Sequence, residues 1–229
     1  MDIPSAHVFE TLSGKAVHSL HHANSVLTAC QFIRRRSLLS RGNVERLGLA
    51  QTPQYTDDSD RRYSVWFDVF VDSVDIHNRA STANLYGPVL FVFDLSVINR
   101  NATGRLWVTK LNPSKWADRS NKERWFQNKS DLQATFVKGR FDQMVVLRHS
   151  GGALPFGRHL RKVVLDDPDA RIEGADAYSL ALGALRSAMQ DAGISVPIEK
   201  RKCSTTCKCL QYWHTHKSTL RTMFDPKIA

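Results

Sequence analysis

Long apolar runs are missing from this 229-residue sequence, and their absence argues against a membrane-spanning helix. No uninterrupted apolar stretch approaches the ~20 residues that a helix needs to cross a bilayer. The N-terminal segment contains neither the basic part nor the apolar part of a secretory signal, so we expect a cytoplasmic protein with no membrane partner. Internal repeats and low-complexity segments are missing as well, so nothing in the sequence indicates a repeat architecture.

Four widespread motifs of nucleotide binding and catalysis are also absent, namely the P-loop, GxGxxG, HExxH and GxSxG. The sequence therefore gives no short motif that identifies a function by itself. Composition, clusters of reactive side chains and the order of the segments have to carry the inference.

Cysteines are few, and three of the four are crowded near the C-terminus. Cys30 stands alone in an apolar helical pattern, which predicts a small buried side chain. Cys203, Cys207 and Cys209 are followed closely by His214. In a cytosolic protein such a cluster indicates metal or redox chemistry rather than a disulfide framework. Thiolates and imidazole suit tetrahedral zinc, so we predict zinc bound by these four residues, with free thiols on a basic tail as the alternative.

Basic residues outnumber acidic ones, 32 to 22, which gives a net charge of +10 and a pI of about 9.7. This balance favours a polyanionic partner, nucleic acid before an anionic membrane surface. The charge does not separate an enzyme from a binding module, and a solvated basic face is the alternative. Trp107, Trp116 and Trp125 lie among lysines and arginines, where they either stack on bases or pack in the core.

The segment 63–95 holds two β-prone apolar runs with a polar stretch between them. The second run, from Tyr86 to Asp94, is almost continuous β-branched and aromatic residues bounded by Gly-Pro and Asp, which predicts a strand buried on both faces. The polar stretch carries Asp72, Asp75 and Arg79, next to His77. Polar side chains on a loop held by a rigid sheet often build a site, whereas a surface loop of salt bridges is the simpler interpretation.

Other segments predict a mixed α+β fold with strands grouped in the second half of the main domain. We expect a helix capped by Asn24 or Ser25, a long loop over residues 43–62 that covers a binding site, and a strand over 141–147. The clearest predicted helix runs over 174–192 and stops at Gly193. A change in composition places a boundary near residue 196, with a main domain over 1–195 and a small basic extension over 196–229.

The order of these segments resembles the DarT-like ADP-ribosyltransferases, over roughly residues 17–167. The matching segments are a histidine strand followed by a helix (22–26), its closing turn (38–41), an arginine segment (72–81), a central strand pair (86–97 and 106–109), and a strand pair that carries the catalytic glutamate in that family (140–146 and 163–167). The resemblance implies a split β-sheet core with flanking helices. It also implies NAD as a substrate, and a toxin or phage-defence role with an antitoxin or inhibitor protein as a partner.

Carried over residue by residue, the resemblance implies that His22 orients the ribose or nicotinamide half of NAD, with Asn24 or Ser25 beside it. Arg79 would contact the phosphates of the cofactor. The catalytic glutamate position falls on Gln143, which is the main departure from the family pattern. Glutamine offers neither negative charge nor a base, so the acid could instead be Asp142 if the register shifts by one residue, or another carboxylate such as Asp75 or Glu123.

The resemblance, together with the basic charge, therefore implies an enzyme that transfers ADP-ribose from NAD to DNA or RNA. One alternative is a catalytically silent nucleic-acid-binding module on the same fold, with Gln143 as its mark. Another is a metal-dependent nuclease that uses the central aspartates, although the carboxylate-x-Lys partner of such a site is missing. That nuclease would use Asp57, Asp58, Asp60, Asp68, Asp72 and Asp75.

Overall fold

A computed structural model describes residues 1–79, 82–100 and 104–227. The fold is α+β, with one large sheet flanked by helices, as the sequence predicts. The strands are β1 (Ile3–Pro4), β2 (Ser19–Asn24), β3 (Ser37–Leu39), β4 (Val69–Asp72), β5 (Val89–Asp94), β6 (Arg105–Val108), β7 (Met144–Leu147), β8 (Ala153–Pro155), β9 (Leu160–Asp167), β10 (Arg171–Ile172), β11 (Ala175–Asp176) and β12 (Ile198–Lys202). The helices are α1 (Ser5–Gly14), α2 (Val26–Arg34), α3 (Arg41–Arg46), α4 (Asp57–Arg62), α5 (Ile76–Arg79), α6 (Val97–Arg100), α7 (Asn121–Arg124), α8 (Lys129–Thr135), α9 (Ala177–Ala192), α10 (Lys208–Thr215) and α11 (Lys217–Phe224).

The large sheet has eight strands in the order β1-β6-β7-β4-β2-β5-β9-β12. Strands β2 and β5 pair along their whole length, from Ser19 opposite Asp94 to Asn24 opposite Val89. In contrast, the register between β2 and β4 consists of one pair, His21 opposite Asp72. The sheet therefore consists of two four-stranded halves that meet at this pair. This arrangement agrees with the predicted split β-sheet core.

Strand β5 is buried on both faces, as its composition predicts: every residue from Val89 to Phe93 is buried. Its neighbours are β2 and β9, so it lies inside the second half of the sheet. Apolar β-branched and aromatic side chains suit such a position because they pack well on both faces of a pleated surface.

Two predicted helices are confirmed with their end signals. Helix α2 begins after Ser25, whose side chain accepts a hydrogen bond from the backbone N–H of Thr28. Helix α9 ends at Gly193, which adopts the left-handed conformation with φ of 63°. Cys30 is buried within α2, as predicted.

Two other predictions need correction. Residues 43–62 are not one long loop, because α3 reaches into this range and α4 closes it. The strand predicted over 141–147 begins only at Met144. It pairs with β4 and β6, not with β9, so 140–146 and 163–167 do not form a strand pair.

Residues 196–227 are part of the main fold. Strand β12 pairs in parallel with β9 at the end of the large sheet, whereas the other strand pairs of that sheet are antiparallel. Helix α11 packs against α2 and α9. Trp213 and Phe224 are fully buried and belong to the main hydrophobic core. Residues on both sides of position 196 therefore share one hydrophobic core, and the domain boundary there stays a prediction.

The tryptophans pack in the protein rather than line an exposed groove. Trp116 and Trp125 are buried with Val65 and Val146 in a second apolar cluster, and Trp107 packs edge-on against Trp125.

None of the helices in the described ranges combines the length and the apolar character needed to cross a membrane.

Candidate functional site

A cleft opens where the two halves of the sheet meet. Strand β2 contributes His22 and Asn24 to its wall, and β4 contributes Phe70 and Asp72. Met144, the first residue of β7, also lines it. The cleft encloses about 880 Å³, counting the part open to solvent.

His22 is held in one protonation state by the backbone of the opposite half. Its Nδ1 lies 2.8 Å from the carbonyl oxygen of Phe70. A carbonyl only accepts, so Nδ1 carries the proton and Nε2 is an acceptor. Burial lowers the pKa of His22 below its ordinary value, against the opposing effect of the Phe70 hydrogen bond. The imidazole is therefore neutral at neutral pH and presents an unprotonated Nε2, which lies 3.5 Å from Nδ2 of Asn24.

Asn24 and Ser25, the two residues predicted beside His22, have different positions. Asn24 lines the cleft, and its Oδ1 accepts a hydrogen bond from the backbone N–H of Ser25. The Ser25 hydroxyl is fully buried and hydrogen-bonds to the hydroxyls of Thr28 and Thr52. The structure therefore places Asn24 at the cleft and uses Ser25 to join β2, α2 and the segment before α4.

Three carboxylates line the cleft: Asp60, Asp68 and Asp72. The sequence analysis places these three together only in the alternative of a metal-dependent nuclease. Asp68 forms an ion pair with Arg148 at 2.9 Å. Burial raises the pKa of Asp60 to about 7, and Thr56 donates a hydrogen bond to it at 3.2 Å. Asp72 ends β4 and lies in register with His21 on one side and Met144 on the other.

These carboxylates do not form a cation site of the nuclease type. In the described part of the chain, the groups of three or more metal-ligating side chains with converging atoms comprise one set, and it contains no aspartate. Asp57 is removed from such a site because it accepts two hydrogen bonds from the guanidinium of Arg41, at 2.9 and 2.6 Å. The geometry disfavours the nuclease alternative.

Arg41 is a cleft residue whose role sequence reasoning missed. Besides the pair with Asp57, its guanidinium donates to the backbone oxygen of Thr52 at 2.8 Å. The signal was present, because Arg41 ends the segment 38–41 of the resemblance. The structure corrects the expected conformation of that segment: α2 already ends at Arg34, Leu38 and Leu39 belong to β3, and Ser40 caps α3. Its bidentate pairing fixes the segment 52–57 over the cleft.

The predicted acid positions, Gln143 and Asp142, lie beside the cleft rather than among its lining residues. Gln143 is buried; its Oε1 accepts from the backbone N–H of Val137 at 2.7 Å, and its Nε2 donates to the oxygen of Thr135 at 3.3 Å. Asp142 pairs with Lys115 at 2.8 Å. Both residues precede β7, so neither of them lies in a strand.

Arg79 ends α5, whose first residue Ile76 lines the cleft. The side chain of Arg79 lies outside the part of the chain that the structure describes. Its predicted contact with the cofactor phosphates stays a prediction.

A second pocket adjoins the first and shares five residues with it: Gln54, Thr56, Ile76, Tyr86 and Phe141. Its rim carries exposed apolar side chains. Tyr55 is 97% exposed, Leu85 is 46% exposed and Phe141 is 39% exposed. Large exposed aromatic side chains beside a polar cleft are typical of a surface that contacts a planar ligand.

The cysteine cluster lies next to α5. Nε2 of His77 is 3.7 Å from Sγ of Cys203 and 3.5 Å from Sγ of Cys207. The ligand atoms of His77, Cys207 and Cys209 all lie within 4.8 Å of one another. The structure does not bring His214, the predicted fourth member, to the cluster: its Nε2 lies 3.1 and 3.0 Å from the backbone oxygens of Pro168 and Asp169. His77 lies beside the thiols instead.

A network of ion pairs supports the cluster from the side of the sheet. Arg201 on β12 binds the carboxylates of Asp75 and Asp166. The other carboxylate oxygen of Asp166 lies 3.4 Å from Nδ1 of His77. Asp75 is therefore part of a largely buried network rather than an exposed surface pair.

The fold is similar to that of Thermus sp. 2.9 DarT, solved in complex with ADP-ribosylated single-stranded DNA. The superposition covers 81% of this chain and 95% of that chain, with a TM-score of 0.52 and 10% sequence identity. No protein-family profile matches the sequence, and no curated protein matches it. The similarity establishes the fold.

Proposed function

We propose that this protein transfers ADP-ribose from NAD to a nucleic acid. The observation that carries the proposal is the cleft at the junction of the two half-sheets, which brings His22, Asn24 and Asp72 together on the fold of DarT. The solved structure of that protein holds ADP-ribosylated single-stranded DNA, which supports this reaction class for the cleft.

In this proposal β2 binds the nicotinamide ribose of NAD. The unprotonated Nε2 of His22 accepts a hydrogen bond from a ribose hydroxyl, and Asn24 holds the neighbouring polar edge. A neutral imidazole suits this task because a protonated one would repel the positive charge that develops on the ribose. Arg79, at the end of α5, is the proposed contact for the phosphates.

Asp72 supplies the negative charge in this proposal. The bond between nicotinamide and C1′ of the ribose breaks, and its electron pair leaves with nicotinamide. The ribose becomes oxocarbenium-like, and an acceptor atom of the nucleic acid forms the new bond to C1′ and releases its proton. A carboxylate near C1′ stabilises the cation and takes this proton, and general base assistance contributes roughly 10²–10⁴-fold. Asp72 sits between β2 and β7 at the junction of the half-sheets.

The acceptor is a nucleic acid because two independent features favour one. The net charge of +10 attracts a polyanion. The second pocket is lined by Tyr55, Tyr86 and Phe141, and we propose that a base stacks in this aromatic pocket. Stacking of a base on an aromatic side chain contributes about 1–3 kcal/mol. Because this pocket shares a wall with the cleft, a base held there would face the ribose.

The test is transfer of label from NAD into separate pools of single-stranded DNA, duplex DNA, RNA and protein. We expect label in one nucleic-acid pool, and a rate at least ~10²-fold lower in Asp72→Asn and His22→Ala. Arg79→Ala tests the phosphate contact through the KM for NAD. Asp191→Asn, an exposed carboxylate paired with Arg34, is the matched control and should keep the wild-type rate.

Two outcomes would overturn parts of the proposal. If Asp72→Asn keeps its rate while Asp60→Asn or Asp142→Asn loses it, the carboxylate is misassigned. If neither label transfer nor nicotinamide release occurs, yet nucleic acid binds with a steep salt dependence, the protein is a binding module without the reaction. The antitoxin or inhibitor partner stays a prediction from the resemblance.

A further inference from the structure

We propose that His77, Cys203, Cys207 and Cys209 bind a structural zinc ion that fastens the C-terminal segment to the wall of the cleft. This inference is independent of the transfer reaction, because it concerns the folding of the chain around a metal. The four side chains come from two segments 126 or more residues apart in sequence.

The distances between the side chains fit tetrahedral zinc. With zinc–sulfur bonds of ~2.3 Å and zinc–nitrogen bonds of ~2.0–2.1 Å, a tetrahedral site places nitrogen and sulfur about 3.6 Å apart. The distances from Nε2 of His77 to the two thiols are 3.7 and 3.5 Å. Cys209 completes the set, because its Sγ, Sγ of Cys207 and a ring nitrogen of His77 all lie within 4.8 Å of one another.

The surroundings fit the needs of such a ligand set. A histidine that binds zinc usually directs its other ring nitrogen to a carboxylate, which fixes the ring. Nδ1 of His77 lies 3.4 Å from Asp166. The backbone N–H of Asn84 donates to Sγ of Cys209 at 3.1 Å, as expected for a thiolate that needs a donor. Three thiolates and one imidazole fill all four positions, so no open position remains for a substrate or water, and the site is structural.

A chain of contacts connects this site to the cleft. Asn84 touches Cys209 through its backbone, and its side-chain Nδ2 donates to the oxygen of Gly87 at 2.9 Å. Gly87 packs directly on the backbone of Asn24, a cleft residue. His77 itself follows Ile76, which lines both pockets. Zinc would therefore hold both α5 and the segment 82–87 in place beside the cleft.

Metal content of the full-length protein, purified under reducing conditions from zinc-supplemented cells, tests the proposal. We expect one zinc ion per chain. His77→Ala and Cys207→Ser should bind zinc on the order of 100-fold more weakly or worse, in competition with a chromogenic chelator. His214→Ala is the matched control and should keep the zinc. Cobalt substitution should give the absorption of a tetrahedral site with thiolate ligands.

Three results would overturn the proposal. The first is protein that folds with no zinc in reducing conditions. The second is a Cys203–Cys207 disulfide found by mass spectrometry in place of metal. The third is loss of zinc in His214→Ala with retention in His77→Ala. Because a ligand variant can fail to fold, chelator titration of the wild-type protein, followed by its melting temperature, is the second measurement: a fall that added zinc reverses supports the site, and an unchanged temperature contradicts it. Neither readout depends on NAD.

Discussion

At the scale of single residues, backbone hydrogen bonds fix the chemical state of the side chains around the cleft. The carbonyl of Phe70 selects one tautomer of His22. In the same way, Gln143 satisfies one backbone donor and one backbone acceptor, Val137 N–H and the Thr135 oxygen. An amide serves both because it has a donor and an acceptor end, which a carboxylate does not. These two hydrogen bonds explain how glutamine fits position 143, where the resemblance implies a catalytic glutamate.

The first prediction concerns Gln143→Glu. The new carboxylate would face the Thr135 oxygen without a proton to donate, so we expect the free energy of unfolding to fall by about 1–3 kcal/mol at pH 8. Burial raises the pKa of such a carboxyl, so the penalty should shrink at pH 5, where the protonated acid can donate. Urea unfolding at both pH values measures this, with Gln133→Glu on the exposed face of α8 as the control. A gain in label transfer with unchanged stability would instead place the catalytic acid here.

A second prediction follows from Asp60, whose pKa is raised to about 7 by burial in the folded protein. The ordinary value is ~3.9, so the folded state holds the proton more tightly than the unfolded chain. Wild type therefore loses stability as the pH rises from about 4 to about 7. Asp60→Asn does not ionise, so we expect it to be more stable than wild type by on the order of 2 kcal/mol at pH 8 and equal to it near pH 4.

Thermal melts across this pH range provide the measurement for Asp60, with Asp58→Asn on the same helix as the control. The Asp60→Asn variant also tests the proposed reaction, through its rate of label transfer. If Asp60→Asn is less stable than wild type at pH 8, the carboxylate of Asp60 in the wild-type protein is ionised and paired. In that case burial does not raise its pKa as described.

At the scale of elements, the approach to β5 is as important as the strand itself. Residues 82–87 form an irregular segment in which Asn84 binds both Cys209 and Gly87. Gly87 has a φ of 137°, a conformation that side chains oppose. A Cβ there would lie 2.1 Å from the carbonyl carbon of Asn24. The glycine lets this segment run directly over the end of β2 and shape the cleft.

The third prediction is that Gly87→Ala lowers the free energy of unfolding by about 3–5 kcal/mol. The added Cβ would collide with the backbone of Asn24, which cannot move without displacing β2. Gly183→Ala in α9 is the matched control: no atom lies within 4 Å of its added Cβ, and alanine should stabilise that helix by roughly 0.5–1 kcal/mol. Chemical denaturation of both variants checks the pair. Equal stability of Gly87→Ala and wild type would mean that the turn is looser than described.

At the scale of the whole molecule, the C-terminal segment completes the sheet and the core. Strand β12 covers the edge of β9 from Ile198 to Lys202, and Arg201 joins it to Asp75 and Asp166 across the sheet. Trp213 and Phe224 are buried against the same core as α2 and α9. The segment therefore stabilises the cleft indirectly, through the elements that carry it.

The fourth prediction is that a chain ending at residue 195 does not fold. It would expose the apolar residues that α10 and α11 cover and leave the β9 edge unpaired. We expect aggregation, or circular dichroism without a cooperative melt, whereas a control chain ending at residue 227 should melt like the full protein. A cooperative melt of the 1–195 chain would show that the predicted domain boundary is real.

Elements that depend on neighbouring residues could be predicted from the amino-acid order. Strand β5, the Ser25 cap of α2 and the stop of α9 at Gly193 were predictable because burial patterns, caps and left-handed glycines act within a few residues. The resemblance added the fold and the placement of His22 and Asn24. Net charge indicated a polyanionic partner but not where it binds.

Which distant residues meet depends on how the whole chain packs. His77 joins the cysteines from 126 residues away, and spacing along the chain had favoured the nearby His214 instead. Asp72 lines the cleft at the point where β4 pairs with β2, and Gln143 lies outside it, with its amide bound to the backbone of Val137 and Thr135. Sequence patterns report local periodicity, whereas these contacts depend on the order and register of strands, which packing of the whole chain sets.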